Sequence, residues 1–382
     1  MPEPHRRIVS RPRVAWNRVA PALAVALSLN ACAPTTLLPY RSDQPPTVTL
    51  PVALASIGDA RAAFATLFAA ELGASDVTVR GPWLHAAPAG TPPTLPPNLE
   101  ARFAARAAST SVLVVSGLFG DCLGAHALPF GDGVIRPPQY GIDEGYRQYD
   151  DLGLHSIRLL PVPGRSSSEA NGQRLAQVLL AESGRPGVAR IVLVGYSKGV
   201  PDLQQALALL QLQGGLPREI AAFVSMAGAV MGTPLADFYE NAYDTVSPHF
   251  TPFDCTPAQG GDMASLTRRE RVAWLAAHPP PPGPAYFSII AHAPMEDMAP
   301  LLRVTARQLA AIDPRNDGQL LASDALLPGS TLLAELHADH WDVALPRDRH
   351  PNEMLRALTS GRGFPREALF RTTLKWVVGT AP

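Results

Sequence analysis

Apolar residues fall along this chain in two alternating rhythms. Short continuous runs rich in Val, Ile and Leu recur at Ser111–Ser116, Ile157–Val162, Ile191–Val194, Ile220–Met226, Tyr286–Ile290 and Thr331–Leu336. Their length and their lack of in/out alternation predict strands buried on both faces, as in a parallel sheet. Between the runs, apolar positions return at helical spacing. Helices are predicted around Asp59–Leu72, over a segment with Leu175, Val178 and Leu179 on one face, and from Asp202 to Leu212. A last helix is opened by Pro365 and stopped by Gly379, with Leu369, Phe370, Thr373, Trp376 and Val377 as its apolar side. Ser166-x-x-Glu169 reads as the capping box of the second of these. Strand–helix alternation of this kind predicts an α/β architecture, a mostly parallel sheet flanked by helices.

One stretch breaks the rhythm. From about Leu235 to Pro284 no strand is legible. The stretch carries Phe238, Tyr239, Tyr243, Phe250 and Phe253. A short helix follows, capped by Thr267-x-x-Glu270, with Val272, Trp274 and Leu275 as its apolar residues. Long insertions in compact domains are usually functional, so a cap over a site is expected, with a side subdomain as the alternative.

The N-terminus reads as a targeting segment. Arg6, Arg7, Arg11, Arg13 and Arg18 precede a short apolar region, Val19–Leu29, too short to span a bilayer. Leu29-Asn30-Ala31-Cys32 resembles the lipobox of bacterial lipoproteins, which implies cleavage after residue 31 and acylation of Cys32. Ala33 gives no inner-membrane retention signal, so a lipid anchor in the envelope is expected, at the outer membrane rather than the inner. The expected organisation is a signal peptide (1–31), a Pro-rich tether (32–51), an N-terminal helical extension (52–110) and a main domain (111–382) with a cap at about 235–284. Two cysteines remain, Cys122 and Cys255. In an oxidising compartment they are expected to form a disulfide, with two buried thiols as the alternative.

Composition narrows the classes. A chain of 382 residues, 46% hydrophobic and 17% charged, can bury a large core. A net charge of -1 leaves no electrostatic footprint for nucleic acid. A monomer is expected, touching the membrane only through its lipid.

The candidate chemistry centres on Gly195-Tyr196-Ser197-Lys198-Gly199. A buried-type strand runs into G-x-S-x-G and then into a helix, the context of a nucleophile elbow. A serine hydroxyl needs a base, and the base needs an orienting acid. His340 follows the strand Thr331–Leu336 and is the candidate base, with His337 as the alternative. Asp317 lies in the turn Asn316-Asp317-Gly318 and is the candidate acid, with Asp313 and Asp324 as alternatives. The backbone N–H groups of Lys198 and Leu118 are the expected oxyanion donors, Leu118 from the loop Ser116-Gly117-Leu118-Phe119-Gly120.

Together with Ser168–Leu175, Gly232–Asp237 and Asp339-His340-Trp341-Asp342, these motifs resemble a bacterial α/β-hydrolase of the lipase and esterase kind, from about Ser111 to the C-terminus. The family usually has H-G-x-x-G where Ser116–Gly120 stands, and G-H-S-x-G at the elbow. Here Ser116 and Tyr196 replace the two histidines, and Lys198 follows the nucleophile. The resemblance implies the α/β-hydrolase fold and a serine carboxyl-ester hydrolase acting through an acyl-enzyme on acyl-ester or lipid substrates. Envelope acyl transfer, or a non-catalytic binding lipoprotein on the same scaffold, are the alternatives. No cofactor and no metal are expected, although Asp342 resembles one calcium-ligand position of some such lipases.

Overall fold

In the computed structural model the apolar runs lie side by side. The structure describes residues 47–50, 53–74, 83–87, 93–120, 127–134, 142–246 and 257–382. Strands β1 (Thr47–Leu50) and β2 (Ala53–Ser56) form an antiparallel hairpin. The main sheet holds β3 (Gly58–Asp59), β4 (Thr110–Val115), β5 (Ser156–Leu159), β6 (Arg190–Tyr196), β7 (Ile220–Met226), β8 (Ala285–Ala291) and β9 (Thr331–Leu336). Its order is β3-β9-β8-β7-β6-β4-β5, and every pairing is parallel. All six strands expected from the apolar runs are present. Residues of β4 and β7 are buried throughout, which is why their sequences carry no polar alternation.

Two helical layers cover the sheet. Helices α1 (Arg61–Ala74), α2 (Leu99–Ala107) and α9 (Arg366–Thr380) pack on one face. There Phe64, Phe68, Leu99, Phe370 and Leu374 share a core with Val112, Val114, Val192 and Val194. Helices α3 (Ser168–Ser183) and α4 (Gly199–Leu212) cover the other face. Leu175, Leu179, Leu203 and Leu207 there meet Leu113, Val115, Ile191 and Leu193. Alternate residues of each strand thus feed opposite layers, as the period of a strand demands.

The expected insertion divides in two. Helix α5 (Pro234–Val246) starts just beyond the C-terminal end of β7 and stays at that rim. Thr233 Oγ1 donates to Gln319 O at 2.6 Å, and Tyr239 hydrogen-bonds Gln308. Helix α6 (Arg268–Ala277) leaves the rim and joins the α3–α4 layer through buried Leu275. Buried Arg271 fixes it there, donating to Val230 O at 3.1 Å and Gln204 Oε1 at 2.6 Å. Phe250 and Phe253 lie outside the described residues.

Several local expectations shift. The stretch 52–110 is not wholly helical: β3, which precedes its two helices, belongs to the main sheet. The last tether residues, Thr-Val-Thr-Leu, form β1, in keeping with their β-branched content. Strand β5 ends at Leu159, before Pro161, which cannot donate to a ladder. The N-cap of α3 is Ser167 rather than Ser166: its hydroxyl accepts from Ala170 N, while Ser166 bridges to Gly260. Thr267 caps α6 as expected, accepting from Glu270 N. The 3-10 run Ile142–Leu152, with Tyr146 and Tyr149 buried, and the helices α7 (Leu302–Ala310) and α8 (Glu353–Thr359) carried no signal we read. Cys32, Cys122 and Cys255 fall outside the described residues, and so do the signal segment and the anchor.

Candidate active site

The strand order reverses beside β4. The chain passes from β4 to β5 on one side and returns to β6 on the other. The loops after β4 and β6 therefore leave the sheet at its switch point, the place where open α/β sheets bind ligands. Ser197 sits there.

The turn between β6 and α4 is very tight. Ser197 has φ 55°, a left-handed conformation that a non-glycine residue adopts at a cost. Its neighbours must be glycines. A Cβ on Gly199 would lie 2.3 Å from Val115 O, and one on Gly195 would lie 2.9 Å from Val200 Cα. The turn is held by Ser197 N donating to Met226 O and by Ser197 O accepting from Val200 N and Ala229 N. Gly117 completes the enclosure: a Cβ there would lie 2.6 Å from Ser197 Cβ. The loop after β4 can therefore lie directly on the serine, with Leu118 next in the chain. Lys198 stands at the N-cap of α4.

His340 Nε2 lies 2.9 Å from Ser197 Oγ, and His340 Nδ1 lies 2.7 Å from Asp317 Oδ2. Asp317 Oδ1 accepts from Gln319 N and Leu320 N, which leaves Oδ2 to orient the imidazole. With Nδ1–H donated to the acid, Nε2 is free to accept from the serine. His340 N also donates to Asp317 O at 2.8 Å, so base and acid are joined by backbone and side chain. His340 and Asp317 are buried and Ser197 is partly exposed. The three residues singled out from sequence are brought into one hydrogen-bonded chain.

The alternatives are engaged elsewhere. His337 Nε2 lies 2.7 Å from Asp297 Oδ2, and its ring is stacked 5.4 Å from that of His85. His85 in turn stacks 3.8 Å from His292, and burial lowers its pKa. Asp313 pairs with Arg315. Asp324 pairs with Arg268, and burial pushes its carboxyl up to about 7.

Two buried charge clusters support the site, and the partners of their side chains were not legible in the sequence. Lys198 is 0% exposed, and its Nζ lies 2.8 Å from Asp202 Oδ1. Asn171 Nδ2 donates to Asp202 Oδ2 at 2.8 Å. This pair pins the first turn of α4 beneath the serine. Asp339 and Asp342 flank the base. Asp339 accepts from Ala299 N, Trp341 N and Asp342 N, and Asp342 accepts from Gly361 N and Gly363 N. Burial, and then the charge of Asp342, push the Asp339 carboxyl up to about 8. Asp342 thus spends both oxygens on backbone. Among the described residues, no group of three or more His, Cys, Asp or Glu is placed to hold a metal ion. The D-x-x-D spacing around His340 was the available signal for this second cluster.

Among solved structures, the chain is similar to the metagenomic carboxyl esterase MGS0156, with a TM-score of 0.68 and 26% identity over 94% of this chain and 99% of that one. The chain has the α/β-hydrolase fold. The mature lipase BlEst2 of Bacillus licheniformis matches at a TM-score of 0.48, with 18% identity over 70% of this chain and 92% of the lipase. Lipase 1 of Pelosinus fermentans matches at 0.46, with 15% identity over 71% and 97% of the two chains. No family model matches, and no curated protein does. The fold and the similarity to the carboxyl esterase together support a hydrolase.

Two outcomes follow from the clusters. Lys198→Met strands Asp202 in the interior and is expected to destabilise the protein by about 3–5 kcal/mol. Adding Asp202→Leu should recover a large part of that loss in urea unfolding; a double variant no more stable than the single one would contradict this account. Asp339 binds a proton in the native state over a window, about pH 4 to 8, in which an unfolded aspartate has already lost it. Its contribution to stability therefore falls as pH rises through that window. Asp339→Asn should flatten the fall in unfolding free energy, and an unchanged slope would count against the assignment.

Proposed function

We propose that the protein is a serine carboxyl-ester hydrolase. The observation that carries this is the continuous hydrogen-bonded chain Ser197–His340–Asp317 at the sheet's switch point. The similarity of nearly the whole chain to a carboxyl esterase supports it. In the first half-reaction, Ser197 Oγ attacks the ester carbonyl and His340 Nε2 takes its proton. The N–H groups of Lys198 and Leu118 are assigned to the oxyanion; each such donor is worth roughly 3 kcal/mol. The imidazolium, held by Asp317, protonates the leaving alcohol as the C–O bond breaks. Water then replaces the alcohol: Nε2 takes its proton, the acyl carbon leaves Oγ, and the proton returns to the serine.

The setting is also part of the proposal. A lipid on Cys32 would hold the domain at the envelope, with substrates of acyl-ester or lipid type and a Cys122–Cys255 bridge formed on export. No helix among the described residues is long and apolar enough to cross a membrane.

Ser197→Ala and His340→Ala should each lower kcat for p-nitrophenyl esters by about 10⁴ or more, because triad members act as a unit. A fluorophosphonate should label wild type and not Ser197→Ala. Labelling without turnover of any ester in a panel of rising acyl length would favour acyl transfer to another acceptor. No labelling at all would favour an idle scaffold.

Cys32→Ser should move the protein from the membrane to the soluble fraction of the envelope without changing turnover of soluble esters. A variant that stays with the membrane would remove the anchor from the reading. Non-reduced peptide mapping of the same preparation reads the disulfide directly, and two free thiols would exclude it.

A further inference from the structure

Tyr196 is the last residue of β6 and stands immediately before the nucleophile. It occupies the position where the resembling family usually has histidine. It is 3% exposed, and its hydroxyl donates to the backbone carbonyl of His340 at 2.7 Å. Its ring lies 5.2 Å from the His340 ring, tilted by 31°. Burial raises the phenol's pKa well above its ordinary value, so the hydroxyl keeps its proton and remains a donor.

The other tethers of His340 run to the acid's side. His340 N and Nδ1 both engage Asp317. Two strands, β7 and β8, separate the strand of the base from the strand of the nucleophile. Across that gap the side chains make two links from elbow to base. One is the Ser197 Oγ–His340 Nε2 hydrogen bond. The other is the Tyr196 hydrogen bond. The first cannot persist through turnover, because acylation converts the serine hydroxyl into an ester oxygen with no proton to donate.

We propose that Tyr196 is a positioning residue that keeps His340 in register with the elbow while the enzyme is acylated. In that state Nε2 must receive a proton from water rather than from serine, and its distance from the acyl carbon is set without the serine link. The Tyr196 hydroxyl does not change between the free and the acylated enzyme, so it carries the register through both half-reactions. The inference rests on the proposed hydrolase reading and deepens it. It assigns a larger share of the second half-reaction than of the first to a residue that touches no substrate.

The experiment is pre-steady-state hydrolysis of a p-nitrophenyl ester by wild type and Tyr196→Phe, which removes one oxygen and keeps the ring. Rates are normalised to the fraction that a fluorophosphonate labels, so that misfolded protein does not count. The expected result is a deacylation rate lower by about tenfold or more, a smaller fall in acylation, and an acyl-enzyme burst that grows with KM falling alongside kcat. Site-specific 3-fluorotyrosine at position 196 keeps the hydroxyl and should retain wild-type partitioning. Equal slowing of both steps, or no slowing, would overturn the assignment and leave the hydrolase reading intact. Failure of the hydrolase reading itself would appear separately, as a wild type that is not labelled or turns over no ester, or as turnover that survives Ser197→Ala.

Discussion

The site depends on how closely the β6–α4 corner approaches the end of β4. Gly199 lies so near Val115 O, and Gly117 so near Ser197, that neither position has room for a methyl group. This contact forces the left-handed backbone of Ser197 and lifts its side chain out of the sheet edge. It also places the N-terminus of α4 under the same point. Surrounding structure has to hold such a backbone in place. Here three backbone hydrogen bonds around Ser197 and the buried Lys198–Asp202 pair do so.

Much of the fold was legible because buried parallel strands leave an unambiguous trace. Val112 to Val115 and Ile191 to Val194 are apolar on both faces, and both faces are covered. The three residues of the hydrogen-bonded chain, Ser197, His340 and Asp317, were legible for a related reason: each sits just past a recognisable strand or in a turn with its own signature, such as Asn316-Asp317-Gly318. What could not be read was anything set by contact across the sequence. The two residues of β3 are too few to show a period, and they are a strand only because β9 pairs with them. The aromatic stretch after β7 suggested one cap, whereas α6 belongs to a flanking layer, and the buried ends of Arg271 and Leu275 decide that. Tyr196 looked like a departure from a family pattern. Its partner, 144 positions away in sequence, gives it a structural role.

The base loop shows a different economy. His340 lies between two buried carboxyl groups, Asp339 and Asp342, that bond almost only to backbone N–H groups. Carboxyl groups are used here as fasteners. Each accepts several N–H donors that would otherwise be buried without partners. The same donors recruit chain from three places, around Ala299, Trp341 and Gly361. The loop carrying the base is thereby fixed without a regular element of its own.

The leading part of the domain also protects the sheet. Strand β9 would be an edge, with a row of unpaired N–H and C=O groups able to template another chain. Gly58 and Asp59 pair with its start, and Leu84 bridges antiparallel to Leu336 at its end. Arg61 seals the same edge by reaching Glu335, 274 positions later, with its buried guanidinium. Edge protection of this kind links early-made residues to the last strand of the sheet to be synthesised. Contacts so distant in sequence form late and slowly. On a ribosome, the guard is made first and must wait for the edge it covers, so during synthesis the exposed surface belongs to the nascent residues 58–61 and 84–85 themselves.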